Sequence, residues 1–301
     1  MTDGSLLDPA FVRELEQLRL ELRRRVAGVR AGDHRSMRRG ASVEFAEHRE
    51  YAPGDDPRRV DWNAFARLGE LVVRLYVAEE DVTVHLVLDA SRSMDFGDPT
   101  KHHAARRLAA ALGYLCLSGS ERVSLSVSVG GALRTGAPLR GRRQLGQFLA
   151  SLDRVEPVGV ARMDRAVDAL LARHGKRPGI AVVLSDLFDE GEGALAAHRL
   201  ATARHETTVV HVLAADELTP PVTGETSLID SETGVGLDLV IDAQAVAQYR
   251  ARLAGWIRDL RARFKKRGVR YVQAFPGHRP RDVLAEVLTG ARPAKAATWS
   301  Y

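Results

Sequence analysis

The segment TVHLVLDASRSMDF, Thr83 to Phe96, changes abruptly from apolar residues to one acid and two hydroxyls. Asp89, Ser91 and Ser93 stand two residues apart, directly after a segment with the pattern of a buried strand. A second acid, Asp186, closes the apolar run IAVVLSD in the same way. Carboxylate and hydroxyl oxygens are the ligands that Mg²⁺ prefers. We therefore predict that these four residues hold Mg²⁺, directly or through water.

The same residues also have a purely structural interpretation. Asp and Ser accept hydrogen bonds from the free backbone N–H groups at the start of a helix. Asp89, Ser91 and Ser93 would then end a strand and cap the helix that follows. Asp186 would do the same in its own loop. Both interpretations stay open at the level of sequence.

Strands and helices alternate along the chain after Glu80. This order is typical of a doubly wound α/β fold with a mostly parallel sheet. Two strands, 123–129 and 132–139, follow each other too closely for a crossover helix, so we predict an antiparallel hairpin at the edge of the sheet. The other predicted strands are 83–88, 180–185, 207–214 and 269–275, the predicted helices are 101–117, 143–153, 164–173, 193–204 and 243–267, and a second hairpin is predicted near Gly234.

Such a sheet explains how Asp89 and Asp186 could act together. Ligands of open α/β sheets bind beyond the carboxyl ends of the strands, near the point where the strand order reverses. If the first strand is central, we expect Leu86 and Val183 on adjacent parallel strands. The two acids would then face the same crevice.

The N-terminal part of the chain follows a different pattern. Leucines at helical spacing predict one amphipathic helix from Pro9 to about Val29. The following residues, up to Glu80, are irregular and charged, and we interpret them as an extension in which Trp62 is buried. The predicted organisation is an extension (1–80) packed on the main α/β domain (81–290), followed by a C-terminal tail (291–301).

Composition narrows the class of protein. The chain has 301 residues, of which 45% are hydrophobic, and a net charge of +5. Nine arginines lie between Arg13 and Gly40, but aromatic residues for base stacking are few there, so we expect no nucleic-acid partner. The single cysteine, Cys116, excludes an internal disulfide. No apolar run approaches the roughly 20 residues of a membrane-spanning helix, so we expect a cytoplasmic protein.

Two blocks of sequence resemble a known family. DASRSM matches the DxSxS motif of von Willebrand factor A-like domains, whose metal-ion-dependent adhesion site binds a cation. The upstream block EFAEHREYAPGDDPRRVDWNAFARLGELVVRLYVAEED closely resembles the signature of bacterial family 58 of the domains of unknown function. The resemblance implies a von Willebrand A-like domain and a MoxR-type AAA+ ATPase as partner, in the assembly or activation of other complexes.

One position departs from the family pattern. Adhesion sites of this type usually add a threonine, and Ala161 stands at the matching position here. Asp153 or Asp164 could take its place, although neither matches the position. The sequence shows no glycine-rich phosphate loop and no GxSxG turn. We therefore predict a non-enzymatic interaction module with a partial metal site, and we keep an Mg-dependent phosphoester hydrolase as the alternative.

Overall fold

The computed structural model describes residues 5–29, 45–53, 55–57, 60–76, 82–160, 162–174, 177–189, 191–231 and 234–290. These residues form eleven strands and nine α-helices, numbered in chain order. The strands are β1 Phe45–Glu50, β2 Val72–Tyr76, β3 Thr83–Asp89, β4 Arg122–Val129, β5 Ala132–Thr135, β6 Leu139–Arg140, β7 Gly179–Ser185, β8 His205–Val212, β9 Gly224–Ile229, β10 Gly236–Ile241 and β11 Arg270–Ala274. The helices are α1 Pro9–Val29, α2 Trp62–Leu68, α3 Lys101–Ser118, α4 Leu145–Asp153, α5 Met163–His174, α6 Glu192–Thr202, α7 Ala215–Leu218, α8 Ala243–Lys266 and α9 Pro280–Thr289.

The central sheet has the strand order β11-β8-β7-β3-β4-β5, and β6 also pairs with β4. The first five of these strands are parallel, and β5 and β6 run antiparallel to β4 at the edge. Val87 pairs with Val183, which confirms that β3 and β7 are parallel neighbours. The predicted α/β class and edge hairpin are confirmed. The predicted strand 132–139 is interrupted, because the chain leaves the ladder between β5 and β6.

Helices cover both faces of this sheet, which explains why β3 is buried along nearly its whole length. On one face, Leu86 and Leu88 pack in a core cluster that includes residues of α1, α3, α4 and α9. On the other face, Val87 and Val183 pack against residues of α5, α6 and α8. The alternation of side chains along a strand assigns Asp89 to the same face as Val87.

Helix α1 belongs to the same compact unit as the sheet. Asp8 accepts a hydrogen bond from the Phe11 N–H at 2.8 Å and so caps the helix. Phe11, Leu15 and Leu18 are buried in the core cluster that also contains α3. The described residues of 1–34 and 82–301 form this unit, whereas the sequence analysis grouped the helix with the extension. The predicted tail, 291–301, lies outside the described residues.

The second compact unit comprises 35–81 and is built on a hairpin of β1 and β2. Asp61 caps α2 by accepting hydrogen bonds from two backbone N–H groups. Asp55 accepts from the Arg49 guanidinium at 2.7 Å and from the Ala52 N–H at 2.9 Å, so this acid holds the turn that follows β1. The prediction that Trp62 is buried is wrong, since 59% of this residue is exposed. It opens a short helix whose residues are all at least partly exposed. Packing of this unit on the main domain stays a prediction.

The longest described helices, α1 and α8, have 21 and 24 residues. Helix α8 buries Leu253, Ile257, Leu260 and Phe264 on one side and exposes charged residues on the other. This distribution is that of a helix packed on a protein core. Within the described ranges, no helix combines the length and the apolar character needed to cross a membrane.

We expect Gly113→Ala to destabilise the protein. Gly113 lies inside α3, and a Cβ atom there would come 2.0 Å from Cε1 of Phe148, which is itself 1% exposed. Overpacking of this kind costs about 1–3 kcal/mol, more than the ~1 kcal/mol that alanine gains over glycine in a helix. The control is Gly255→Ala in α8, where the nearest atom would be 3.7 Å away. The free energy of unfolding, measured by chemical denaturation, should fall for Gly113→Ala and rise slightly for Gly255→Ala. Equal effects of the two changes would contradict the close contact between Gly113 and Phe148.

Candidate functional site

The loop after β3 holds the first three predicted site residues. Asp89 is fully buried, and its two oxygens accept hydrogen bonds from different elements. Oδ1 accepts from the Ser91 N–H at 2.9 Å, and Oδ2 accepts from the Ser185 hydroxyl at 2.7 Å. The hydroxyls of Ser91 and Ser93 lie 3.0 Å apart. The first turn after β3 is therefore folded around the Asp89 carboxylate.

The loop after β7 brings the fourth predicted residue to the same edge. Ser185, whose hydroxyl binds Asp89, immediately precedes Asp186. The Ser185 hydroxyl also accepts from the Leu187 N–H at 3.0 Å, and Asp186 Oδ1 accepts from the Phe188 N–H at 3.2 Å. Leu187 has a positive φ of 58°, which turns the chain sharply at this point. The structure thus places Asp89, Ser91, Ser93 and Asp186 on two neighbouring loops.

A lysine that the sequence analysis did not identify lies at the centre of this edge. Lys101 Nζ donates a hydrogen bond to Asp186 Oδ2 at 2.7 Å and forms a second ion pair with Glu217 Oε1. Both Lys101 and Asp186 are 1% exposed. Glu217 comes from α7, the short helix after β8, and its other oxygen accepts from the Ala214 N–H at 2.8 Å. The loops that follow the adjacent strands β7 and β8 and the start of α3 therefore meet at one ammonium group.

A signal for Lys101 was present in the sequence. It is the first residue of α3, where the positive end of the helix dipole disfavours a cation. Thr100 caps this helix by accepting from the His103 N–H, a role that lysine cannot take because its ammonium has no acceptor. The unfavourable position of the charge marks Lys101 as unusual, but it does not identify the residues that bind it.

A buried histidine fixes the backbone of the Asp186 loop. His211 lies on β8, and its Nε2 is 2.8 Å from the Asp186 carbonyl oxygen. Because a carbonyl only accepts, Nε2 carries the proton, and Nδ1 accepts from the Tyr271 hydroxyl at 2.6 Å. Burial lowers the pKa of His211 to about 4, so the ring is neutral in this network.

The carboxylates of the site differ in how their charge is balanced. Burial, reinforced by the charge of Asp186, raises the pKa of Asp89 to about 7. Burial also raises the pKa of Glu217, while the Lys101 ammonium opposes that shift. The ammonium binds Asp186 and Glu217 directly, and Asp89 is held by hydrogen bonds from uncharged groups. Perturbed carboxyl groups of this kind are typical of functional sites.

Exposed apolar side chains surround the buried charges. Phe96 follows β3 and Phe188 follows β7, and their rings lie 6.0 and 5.2 Å from Lys101 Nζ. Val158, in the loop before α5, donates its N–H to the Ala90 carbonyl at 2.9 Å, directly after β3. These three residues are 41 to 51% exposed. We call Phe96, Val158 and Phe188 the edge surface.

Ser128 adds a further hydroxyl near this edge. It pairs in register with Asp89, and its buried hydroxyl has no hydrogen-bond partner within the described residues. Asp153 and Asp164, the proposed replacements for the missing threonine, form ion pairs with Arg106 and Arg162. Ala161 lies outside the described residues.

As they are arranged here, the side chains of the site do not fit a resident Mg²⁺. Asp186 Oδ2 accepts from the Lys101 ammonium. A divalent cation at Asp186 would lie beside this positive charge and be repelled by it. Metal binding by Asp89, Ser91, Ser93 and Asp186 stays a prediction.

Comparison with known families assigns the chain. A family model described as protein of unknown function DUF58 matches residues 47–261. The chain belongs to the DUF58 family. Uncharacterized proteins of Mycobacterium tuberculosis (Rv1480) and Mycobacterium bovis (Mb1516) are each 34% identical to this DUF58 chain over 272 residues, covering 86% of it and 84% of the relative.

Solved structures also resemble this DUF58 protein. The hypothetical protein BatB of Bacteroides thetaiotaomicron is 17% identical, and the match covers 69% of this chain and 98% of the BatB chain, with a TM-score of 0.43. An aerotolerance-related membrane protein of Bacteroides fragilis is 20% identical, and the match covers 69% of this chain and 97% of that protein's chain, with a TM-score of 0.44. The SpRpn10 VWA domain is 12% identical, and the match covers 70% of this chain and 95% of that domain, with a TM-score of 0.40.

We expect Tyr271→Phe to destabilise the Asp186 loop. The change removes the hydroxyl that binds the buried His211 Nδ1 and leaves that nitrogen without this donor. An unsatisfied buried acceptor costs about 1–3 kcal/mol. The control is Tyr249→Phe, which removes a hydrogen bond to the Glu217 carbonyl from a tyrosine that is 40% exposed, so water can replace it. The free energy of unfolding, measured with denaturant, should fall more for Tyr271→Phe than for Tyr249→Phe. An equal fall would show that the stability of the protein does not depend on the hydrogen bond between Tyr271 and His211.

Proposed function

We propose that this DUF58 chain is a non-enzymatic interaction module that binds a MoxR-type AAA+ ATPase through the carboxyl edge of its sheet. The observation that carries the proposal is the edge surface. Phe96, Val158 and Phe188 are exposed around buried charged groups. Exposed apolar side chains grouped on a protein surface favour contact with another protein.

The position of these residues also supports a binding role. The edge surface consists of side chains from three loops at the carboxyl edge, and the hydrogen bonds of Asp89 and Asp186 hold two of those loops. A rigid support of this kind lowers the entropy lost on binding. Aromatic residues such as Phe96 and Phe188 are enriched in protein interfaces.

The choice of partner rests on the family resemblance of the signature block. Members of the resembled family are typically encoded beside MoxR-type ATPases, which suggests a common complex that assembles or activates other proteins. We propose a cytoplasmic location for this complex. The alternative, an Mg-dependent phosphoester hydrolase, would use the same edge of the sheet, and the experiment below separates the two.

We expect Phe96→Glu and Val158→Glu to weaken the complex. Each change places a charge on an apolar contact and should raise the Kd by at least about tenfold, or about 1.4 kcal/mol. Binding is measured by co-expression with a MoxR-type AAA+ ATPase from the same genome, followed by titration of the purified proteins. The control is Leu20→Glu, because Leu20 is 52% exposed on α1, next to Arg19, which binds the far end of α3 at Ser118.

Two outcomes would contradict the proposal. If all three variants bind like the wild type, the edge surface is not the contact, and the second unit around Trp62 becomes the site to test. If no complex forms and the wild type hydrolyses phosphoesters with Mg²⁺ while Asp89→Asn does not, the hydrolase interpretation replaces the interaction module.

A further inference from the structure

The carboxyl edge of this sheet contains a cation that belongs to the protein itself. The Lys101 ammonium binds Asp186 Oδ2 at 2.7 Å and also forms an ion pair with Glu217. It binds Asp186, one of the four residues that the sequence analysis predicts to hold Mg²⁺. Its own helix, α3, begins at the loop that follows the DxSxS residues.

The surroundings of Lys101 are those of a fixed cation. The residue is 1% exposed and is among the largest fully buried side chains of the described chain. The rings of Phe188 and Phe96 lie 5.2 and 6.0 Å from Nζ, where their faces attract a positive charge. A lysine in such a position is costly to bury unless carboxylates neutralise it.

The carboxylates are arranged around the ammonium. Each oxygen of Asp186 and of Glu217 has a donor, either Lys101 Nζ or a backbone N–H. The oxygens of Asp89 accept from Ser91 and Ser185. A divalent ion bound to Asp186 would have to displace the ammonium or lie beside it, and a buried lysine cannot move into water without opening the loops that hold it.

We infer that the Lys101 ammonium is the resident cation of this site and takes the place of the divalent metal. The chain therefore keeps the carboxyl-edge loops assembled without Mg²⁺. Removal of the lysine side chain should convert the site into a metal-binding one, because Asp186 Oδ2 and Glu217 Oε1 would lose their cation and turn toward water. The Asp89 loop, with Ser91 and Ser93, would supply further oxygens.

This inference concerns the same site as the proposed function, but it is tested on the free protein. The experiment compares the wild type, Lys101→Ala and Lys101→Met by calorimetric titration with Mn²⁺ and by thermal melts in Mn²⁺ or EDTA. The wild type should show no heat of binding and the same Tm in both solutions. Lys101→Ala should melt at a lower temperature in EDTA, bind one Mn²⁺ and regain several degrees of Tm when the ion is present, because a ligand that binds only the folded state stabilises it.

Three variants serve as controls. Lys101→Met fills the space with an apolar chain, so it should be destabilised without gaining Mn²⁺ binding. Lys266→Ala removes an exposed lysine of α8 and should leave both the Tm and the metal response unchanged. Lys101→Ala combined with Asp186→Asn should lose the gained Mn²⁺ binding.

The wild-type titration decides the inference even if Lys101→Ala does not fold. Binding of Mn²⁺ by the wild type that Asp186→Asn abolishes would overturn it and would support the metal site expected from the family resemblance. A folded Lys101→Ala variant that neither loses stability nor responds to Mn²⁺ would also overturn it. Because no partner is present, a failure here is distinct from a failure of the ATPase complex to form.

Discussion

The buried contact of Lys101 with Asp186 and Glu217 is the interaction on which the carboxyl edge depends. It joins the start of α3 to the loops that follow β7 and β8. Removing one partner of a buried ion pair leaves an uncompensated charge and costs about 3–5 kcal/mol. These three charges therefore hold separate loops in one arrangement, and the exposed Phe96 and Phe188 are attached to that arrangement on either side of Lys101.

Asp89 contributes to the site in a different way. Its carboxylate is anchored by a backbone N–H and by the Ser185 hydroxyl, so it links β3 to β7 without an ion pair. Burial keeps its pKa near 7, whereas a carboxyl in water ionises near pH 4. The strand-end interpretation is correct for Asp89, which accepts from the Ser91 N–H, but its capping part is wrong, because Thr100 caps α3 and the Ser91 side chain caps no helix. The same bonds bring a polarised carboxyl group to the edge where ligands of α/β sheets bind.

The DUF58 assignment and the geometry of the edge support one consistent proposal. A divalent ion bound at this edge would attract an acidic side chain of a partner, since it is a strong local positive charge with a preference for oxygen ligands. A module with its own ammonium would instead rely on shape and apolar contact, and its assembly would not respond to the supply of Mg²⁺. Exposed Phe96 and Val158 suit the second kind of contact.

The sequence by itself determined the class of fold, since strands buried on both faces and amphipathic helices are local patterns that appear in the order of residues. Most predicted elements end within a few residues of the observed ones, and the DxSxS segment identified the correct edge of the sheet. Helices α2, α7 and α9 were not predicted from the sequence. Trp62 was predicted to be buried because its side chain is large and apolar, and nothing in the sequence indicated its exposure. Only the tertiary structure brought Lys101 to Asp186 and Glu217, which are 85 and 116 residues away along the chain. A contact over such distances depends on the order of strands in the sheet and on the direction of α3, which no local pattern of residues specifies.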